Sequence, residues 1–150
     1  MVSRWQRSKR DGDGGGRLIL WVDGAIRPGV TGLGVVVRDQ RGRVVTWRSK
    51  ALSQAMTCNE AEYEALLFGL ETVQGMRPAQ VEVRTDSQVV ANQMLGLFAV
   101  RNGSLRRLHA RARAIVAALG RVEFVHVPRL RNRLADALAN EAADGEWRNE

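Results

Sequence analysis

Residues 59–86 read NEAEYEALLFGLETVQGMRPAQVEVRTD, and the spacing of their apolar positions changes part-way along. From about Asn59 to Gln74 the period is helical: Leu66, Leu70 and Val73 share one stripe, with Tyr63 just before it. GMRP (75–78) stops that helix, and QVEVRT (80–85) follows as a strand. A strand that returns after a helix runs parallel to an earlier strand through a right-handed crossover. The residues before 59 must therefore supply its parallel neighbour.

They supply three strands. RLILWV (17–22) is short, apolar and β-rich; GLGVVVRD (32–39) turns at QRG (40–42) into RVVTWRS (43–49). Short connections, including the Gly/Pro-rich GAIRPGVTG, make these an antiparallel meander. Beyond residue 86 the pattern predicts a short helix (87–95), a long one (104–120), a fifth strand (121–127) and a closing helix (132–143). The order β-β-β-α-β-α-α-β-α is an α/β chain: a five-stranded mixed sheet, a three-stranded meander plus two parallel strands, flanked by helices. The first and fourth strands are the expected parallel pair at its centre. Domain boundaries follow: a disordered basic tail over 1–16, one domain over 17–144 and a short tail over 145–150.

The composition narrows the partners. Twenty-three Lys and Arg stand against sixteen Asp and Glu, for a net charge of +7, and only Lys9 and Lys50 are lysines. Arginine forks onto phosphates, so an anionic polymer is one reading and a solvated arginine-rich surface the other. The tail, through Arg4, Arg7, Lys9 and Arg10, either adds salt-sensitive contacts to nucleic acid or is inert. The single cysteine, Cys58, excludes an intrachain disulfide and a cysteine-built zinc site. No apolar stretch approaches the roughly 20 residues of a membrane span, and the N-terminus lacks a signal peptide's apolar segment. We expect a cytoplasmic monomer with no membrane association and no protein partner.

Four acidic residues stand out. Asp23 follows the first strand and Asp86 the fourth, and ligands gather outside the carboxyl ends of parallel strands. Asp86 is equally read as an N-cap of the helix that follows; GAIRPG after Asp23 is not a helix, so capping does not explain Asp23. Glu62 lies four residues before Leu66 and so falls on the inward stripe, whereas Glu60, Glu64 and Glu71 lie on a face taken as solvated. A buried Glu62 needs either an arginine partner or a purpose. In the closing helix Leu134, Leu138 and Ala142 are expected to pack inward; Asp136, near its start, is ordinary for a helix N-terminus or a fourth member of the set. Three or four converging carboxylates repel, and a hard divalent cation, Mg²⁺ or Mn²⁺, resolves that. Neither His109, on the long helix, nor His126, within the fifth strand, reads as a ligand. A hard-metal carboxylate site in an arginine-rich chain points to phosphodiester chemistry with two metal ions.

The segments DGA (23–25), NEAEYEAL (59–66), TDSQ (85–88) and NRLADALA (132–139), in that order, resemble the type 1 ribonuclease H family over roughly residues 17–144. The resemblance implies a ribonuclease H-like fold and hydrolysis of the RNA strand of RNA–DNA hybrids, leaving 5′-phosphate and 3′-hydroxyl ends. It assigns the metal ligands to Asp23, Glu62, Asp86 and Asp136, with two Mg²⁺ or Mn²⁺ ions. Asn59 and Gln88 would reach the hybrid's minor groove, and Gly24 would clear space for the RNA backbone. Double-stranded RNA is a further possible substrate. The chain is similar to the compact, archaeal-type branch: HVPRLRN (126–132) leaves no room for the long histidine-bearing loop of many bacterial members, and LGLFAVRNGS (95–104) is too short for their basic protrusion. Arg129 or Arg131 would approach the phosphate instead. Arg106, Arg107, Arg111 and Arg113 either compensate for the protrusion or flank a Leu105–Leu108–Ala112–Ile115–Leu119 core stripe. The other readings are a catalytically silent hybrid- or double-stranded-RNA-binding module, and a nucleotide fold built on the glycines of GVTGLG. That glycine run leads into a strand and lacks the helix N-terminus that holds phosphate.

Overall fold

The computed structural model describes residues 16–145, so both tails lie almost wholly outside it. Its strands are β1 (Arg17–Arg27), β2 (Val30–Arg38), β3 (Val44–Leu52), β4 (Gln80–Thr85) and β5 (Val122–His126). The helices are α1 (Cys58–Gln74), α2 (Gln88–Met94), α3 (Gly103–Leu119) and α4 (Arg133–Asp144), with a 3₁₀ turn at Arg129–Arg131 that the sequence did not announce. The sheet order is β3-β2-β1-β4-β5. β1–β2 and β2–β3 are antiparallel, β1–β4 and β4–β5 parallel. The mixed sheet and its central parallel pair are as the periodicity requires.

One boundary is corrected. β1 does not stop at Val22: its ladder with β4 ends there, at Val22↔Thr85, but its ladder with β2 runs on through Asp23↔Gly34 to Arg27↔Val30. The backbone hydrogen bonds of GAIR are taken by β2, and only Pro28–Gly29 turns, with Gly29 at φ 73°. Asp23 is thus the first β1 residue beyond the parallel ladder, flanked on one side by β2 and open on the other.

One face of the sheet carries Leu18, Leu20, Val22, Leu33, Val35, Val37, Val81 and Val83, packed against Tyr63, Leu66, Leu70 and Val73 of α1 and Leu105, Leu108 and Ala112 of α3. Ile115 and Leu119 pack on this core part-buried, as the stripe predicted, and the four α3 arginines are exposed on its flank. Two of them are not idle: Arg106 Nε donates to Val100 O at 3.0 Å, and Arg113 donates to Met94 O at 3.3 Å, holding the short segment before α3.

α4 covers part of the other face, and here too the sequence reading needs correction. Leu134 is exposed; the inward residues are Ala135, Leu138, Ala139, Ala142 and Ala143. A Cβ at Gly34 would lie 2.1 Å from Ala135 O, and one at Gly32 would lie 2.0 Å from Ala139 O. The helix backbone rests directly on the strand, so its contact face is alanine and the larger Leu134 is turned away. Of the glycines of GVTGLG, Gly32 and Gly34 are accounted for by this seat and Gly29 by its turn. Among the described residues no helix is long and apolar enough to cross a membrane.

Candidate active site

Asp23, Glu62 and Asp86 meet at the carboxyl end of the parallel pair, each offering an oxygen within 4.8 Å of the others'. Asp23 is held by the sheet and is 4% exposed. Glu62 is held by α1, whose N-terminus is fixed by a capping box in which Thr57 and Glu60 bond each other's backbone. Glu60 is therefore spent on the cap and, like Glu64, is half-buried rather than solvated; Glu71 is exposed. The Gly24 N–H donates to Glu62 Oε1 at 3.1 Å. A Cβ at Gly24 would meet Ala61 O at 2.7 Å, so packing of α1 on β1 by itself requires a glycine there. Asp86 is not a cap: Ser87 caps α2, its hydroxyl accepting from Val90 N. The carboxylate is left for the cluster.

Among the described residues no cation pairs with Asp23, and its electrostatics follow from that. Burial first, then the charge of Glu62 and hydrogen bonding with Asp136, push Asp23 up to about 9. Glu62 is pushed up to about 7 by burial and then by Asp86, opposed by the Gly24 N–H. Asp86 is raised by burial, against the hydrogen bond from Asn132 and the charge of Arg129. Asp136 stands at the rim of the cluster, 3.7 Å from the Arg129 guanidinium. All the donors are carboxylate oxygens, which suit a hard divalent ion.

The remaining expected residues lie around this centre. Asn59 is half-buried in the first turn of α1, and Gln88 is exposed at the start of α2. Arg129 and Arg131 are exposed on the 3₁₀ turn, Arg129 reaching the cluster through Asp136. His126 Nε2 lies 3.3 Å from Asp86 O, on the backbone and not the carboxylate. His109 Nε2 lies 3.3 Å from Gln93 O, far from a ligand role. Asn132 was missed: 1% exposed, it donates to Val22 O at 2.8 Å and to Asp86 Oδ2 at 3.4 Å. Its signal was an asparagine one helical turn before Asp136, which reads by itself as a cap.

Residues 22–142 match the family model described as Reverse transcriptase-like. The chain is 39% identical over 134 residues to Ribonuclease HI of Halobacterium salinarum, covering 88% of this chain and 67% of that protein. The chain belongs to the ribonuclease H family. Two solved members of the ribonuclease H family agree in fold. The N-terminal RNase H domain of Rv2228c from Mycobacterium tuberculosis superposes with a TM-score of 0.82 at 32% identity, covering 89% of this chain and 97% of that one. LC11-RNase H1, solved in complex with an RNA/DNA hybrid, gives a TM-score of 0.81 at 34% identity, covering 87% and 99%. The chain spans 36% of the full-length bifunctional protein Rv2228c.

Proposed function

We propose that the protein is a metal-dependent endoribonuclease that hydrolyses the RNA strand of RNA–DNA hybrids. The observation that carries this reading is the Asp23–Glu62–Asp86 cluster at the open end of the parallel pair, where one buried and two part-buried carboxylates crowd together and, among the described residues, no cation lies between them. The relatives support it: one is named Ribonuclease HI, and another was solved on an RNA/DNA hybrid.

Asp23, Glu62, Asp86 and Asp136 would hold two Mg²⁺ or Mn²⁺ ions. Held there, such ions would supply an activated water and stabilisation of the leaving 3′-oxygen, giving a product with a 5′-phosphate. The chain's own residues do the rest. Asp23, pushed up to about 9, and Glu62, pushed up to about 7, would release protons as the site is loaded, so metal affinity would rise with pH. Gly24 N–H and Asn132 fix carboxylate oxygens so that little reorganisation remains when the site is loaded. Arg129 stands over Asp136 at the mouth, where a scissile phosphate would approach, and Arg131 lies on the same 3₁₀ turn. Asn59 and Gln88 flank the centre on α1 and α2 and would contact the minor groove. Hybrid selectivity would then rest on 2′-hydroxyls of one strand and groove shape.

The test is cleavage of an end-labelled RNA–DNA hybrid with Mg²⁺ or Mn²⁺, beside double-stranded RNA as a second substrate. Wild type should cut the hybrid to 5′-phosphate products, and Asp23→Asn and Glu62→Gln should not. Salt-dependent hybrid binding with no cleavage under either metal would establish a silent binding module instead.

A further inference from the structure

We propose that Asn132 is a positioning residue that sets the spacing of the carboxylates, and that it gives up helix capping to do so. The inference rests on the ribonuclease reading for what the carboxylates accomplish, though not for their geometry. Asn132 occupies the N-cap position of α4. An asparagine there ordinarily turns its side-chain oxygen onto the amides of the first turn. Asn102 does so for α3, accepting from Ser104 N at 2.9 Å and Leu105 N at 3.2 Å. Thr57 and Ser87 do the same for α1 and α2. Asn132 makes no side-chain capping bond at all.

Its amide is turned into the protein. Nδ2 donates to Val22 O at 2.8 Å and lies 3.4 Å from Asp86 Oδ2, while its own carbonyl accepts from Asp136 N at 3.0 Å. Val22 is the last β1 residue paired with β4, so Asn132 takes a carbonyl at the point where the parallel ladder ends. One residue thus joins the strand residue before Asp23, the carboxylate of Asp86 and the first turn of the helix bearing Asp136. The side chain has one workable orientation, because exchanging its amide groups would set oxygen against the Val22 oxygen. The consequence is a buried Oδ1 with no partner among the described residues. A missing cap and an empty buried acceptor are both unfavourable, and such an arrangement calls for a compensating role. Hydrogen bonds that fix metal-ligand carboxylates are that role.

Asn132→Ser separates the two functions, because serine caps a helix as well as asparagine but is too short to bridge Val22 and Asp86. With chelator present, Asn132→Ser should melt at or above the wild-type temperature. The Mn²⁺ concentration that half-produces the metal-induced rise in melting temperature should increase about tenfold or more. On the hybrid, kcat should fall by about tenfold to a hundredfold with KM unchanged, the pattern of a group needed for the chemistry and not for binding. Asn132→Asp is the second variant, since it keeps the volume and the capacity to cap but loses the donor, and it should show the same fall in kcat. If either folded variant keeps the wild-type Mn²⁺ midpoint and kcat, the proposal is overturned. It is equally overturned if both unfold in chelator, because Asn132 is then a structural residue. If wild type itself leaves the hybrid intact, the ribonuclease reading fails, and the Mn²⁺ midpoints still judge Asn132.

Discussion

Asp23→Asn should stabilise the protein in chelator while abolishing its activity. Asp23 is 4% exposed and crowded by two acidic neighbours, and its pKa rises from 3.8 to about 9. Below about pH 4 the group is protonated folded or unfolded, and its favourable contribution is complete. Between those values folding must take up a proton that the unfolded chain has released, so stability falls as pH rises and levels off above about 9. At pH 7 the ceiling on this penalty is about 1.4 kcal/mol for each of roughly three pH units, or about 4 kcal/mol. The cluster relaxes as one member ionises, and asparagine keeps only part of the hydrogen bonding. We therefore expect about 1–2 kcal/mol of gain, roughly 3–8 °C in melting temperature for a domain of this size. The assay is calorimetric or circular-dichroism melting of both proteins in chelator at pH 5, 7 and 9. The variant's advantage should be smallest at pH 5 and largest at pH 9. Equal melting temperatures across that range, or an advantage that shrinks with pH, would refute the reasoning.

Three further outcomes follow from the same geometry. Millimolar Mg²⁺ or Mn²⁺ should raise the wild-type melting temperature more at pH 8.5 than at pH 6, since Asp23 and Glu62 must lose protons to bind it. Asp23→Asn should abolish the rise. Gly34→Ala should cost at least about 2–3 kcal/mol and most of the activity, because a Cβ 2.1 Å from Ala135 O lifts α4 and Asp136 with it; chemical denaturation and the hybrid assay report both. Tyr63→Phe should cost about 1–3 kcal/mol by stripping the 2.7 Å bond to buried Gln93, yet leave the metal-induced shift unchanged, as calorimetry with and without Mn²⁺ would report.

The topology was readable because the apolar period changes sharply between helix and strand, and because connection length decides strand direction. Glu62 was readable for a related reason: Leu66, Leu70 and Val73 fix the phase of α1, and only one of its glutamates falls on that phase close to the sheet. Asp86 was ambiguous until Ser87 proved to be the cap, since either residue fits before a helix. The end of β1 was misplaced because glycine and proline read as a loop. Whether a glycine continues a strand depends on a partner ladder, which is a long-range property. Leu134 failed on similar grounds, since hydrophobicity predicts burial only where the facing surface leaves room.

Gly24, Gly32 and Gly34 bring these strands together, and their lesson is mechanical. Each lies where a helix backbone touches the sheet: Ala61 of α1 above Gly24, and Ala135 and Ala139 of α4 above Gly34 and Gly32. Glu62 follows Ala61 on α1, and Asp136 follows Ala135 on α4. Each helical carboxylate is therefore one residue from a close helix–strand contact. The positions of both are set by backbone against backbone, with no flexible side chain between to absorb error. Asp23 and Asp86 ride on the sheet itself. A site built this way has rigid supports on every side, and the crowding of its charges cannot be relieved by drawing the elements apart. What relieves it is proton uptake in the protein alone, or a cation of matching charge. This is why Asp23, Glu62 and Asp86 should make the unliganded fold less stable as pH rises, and why a divalent ion should stabilise it.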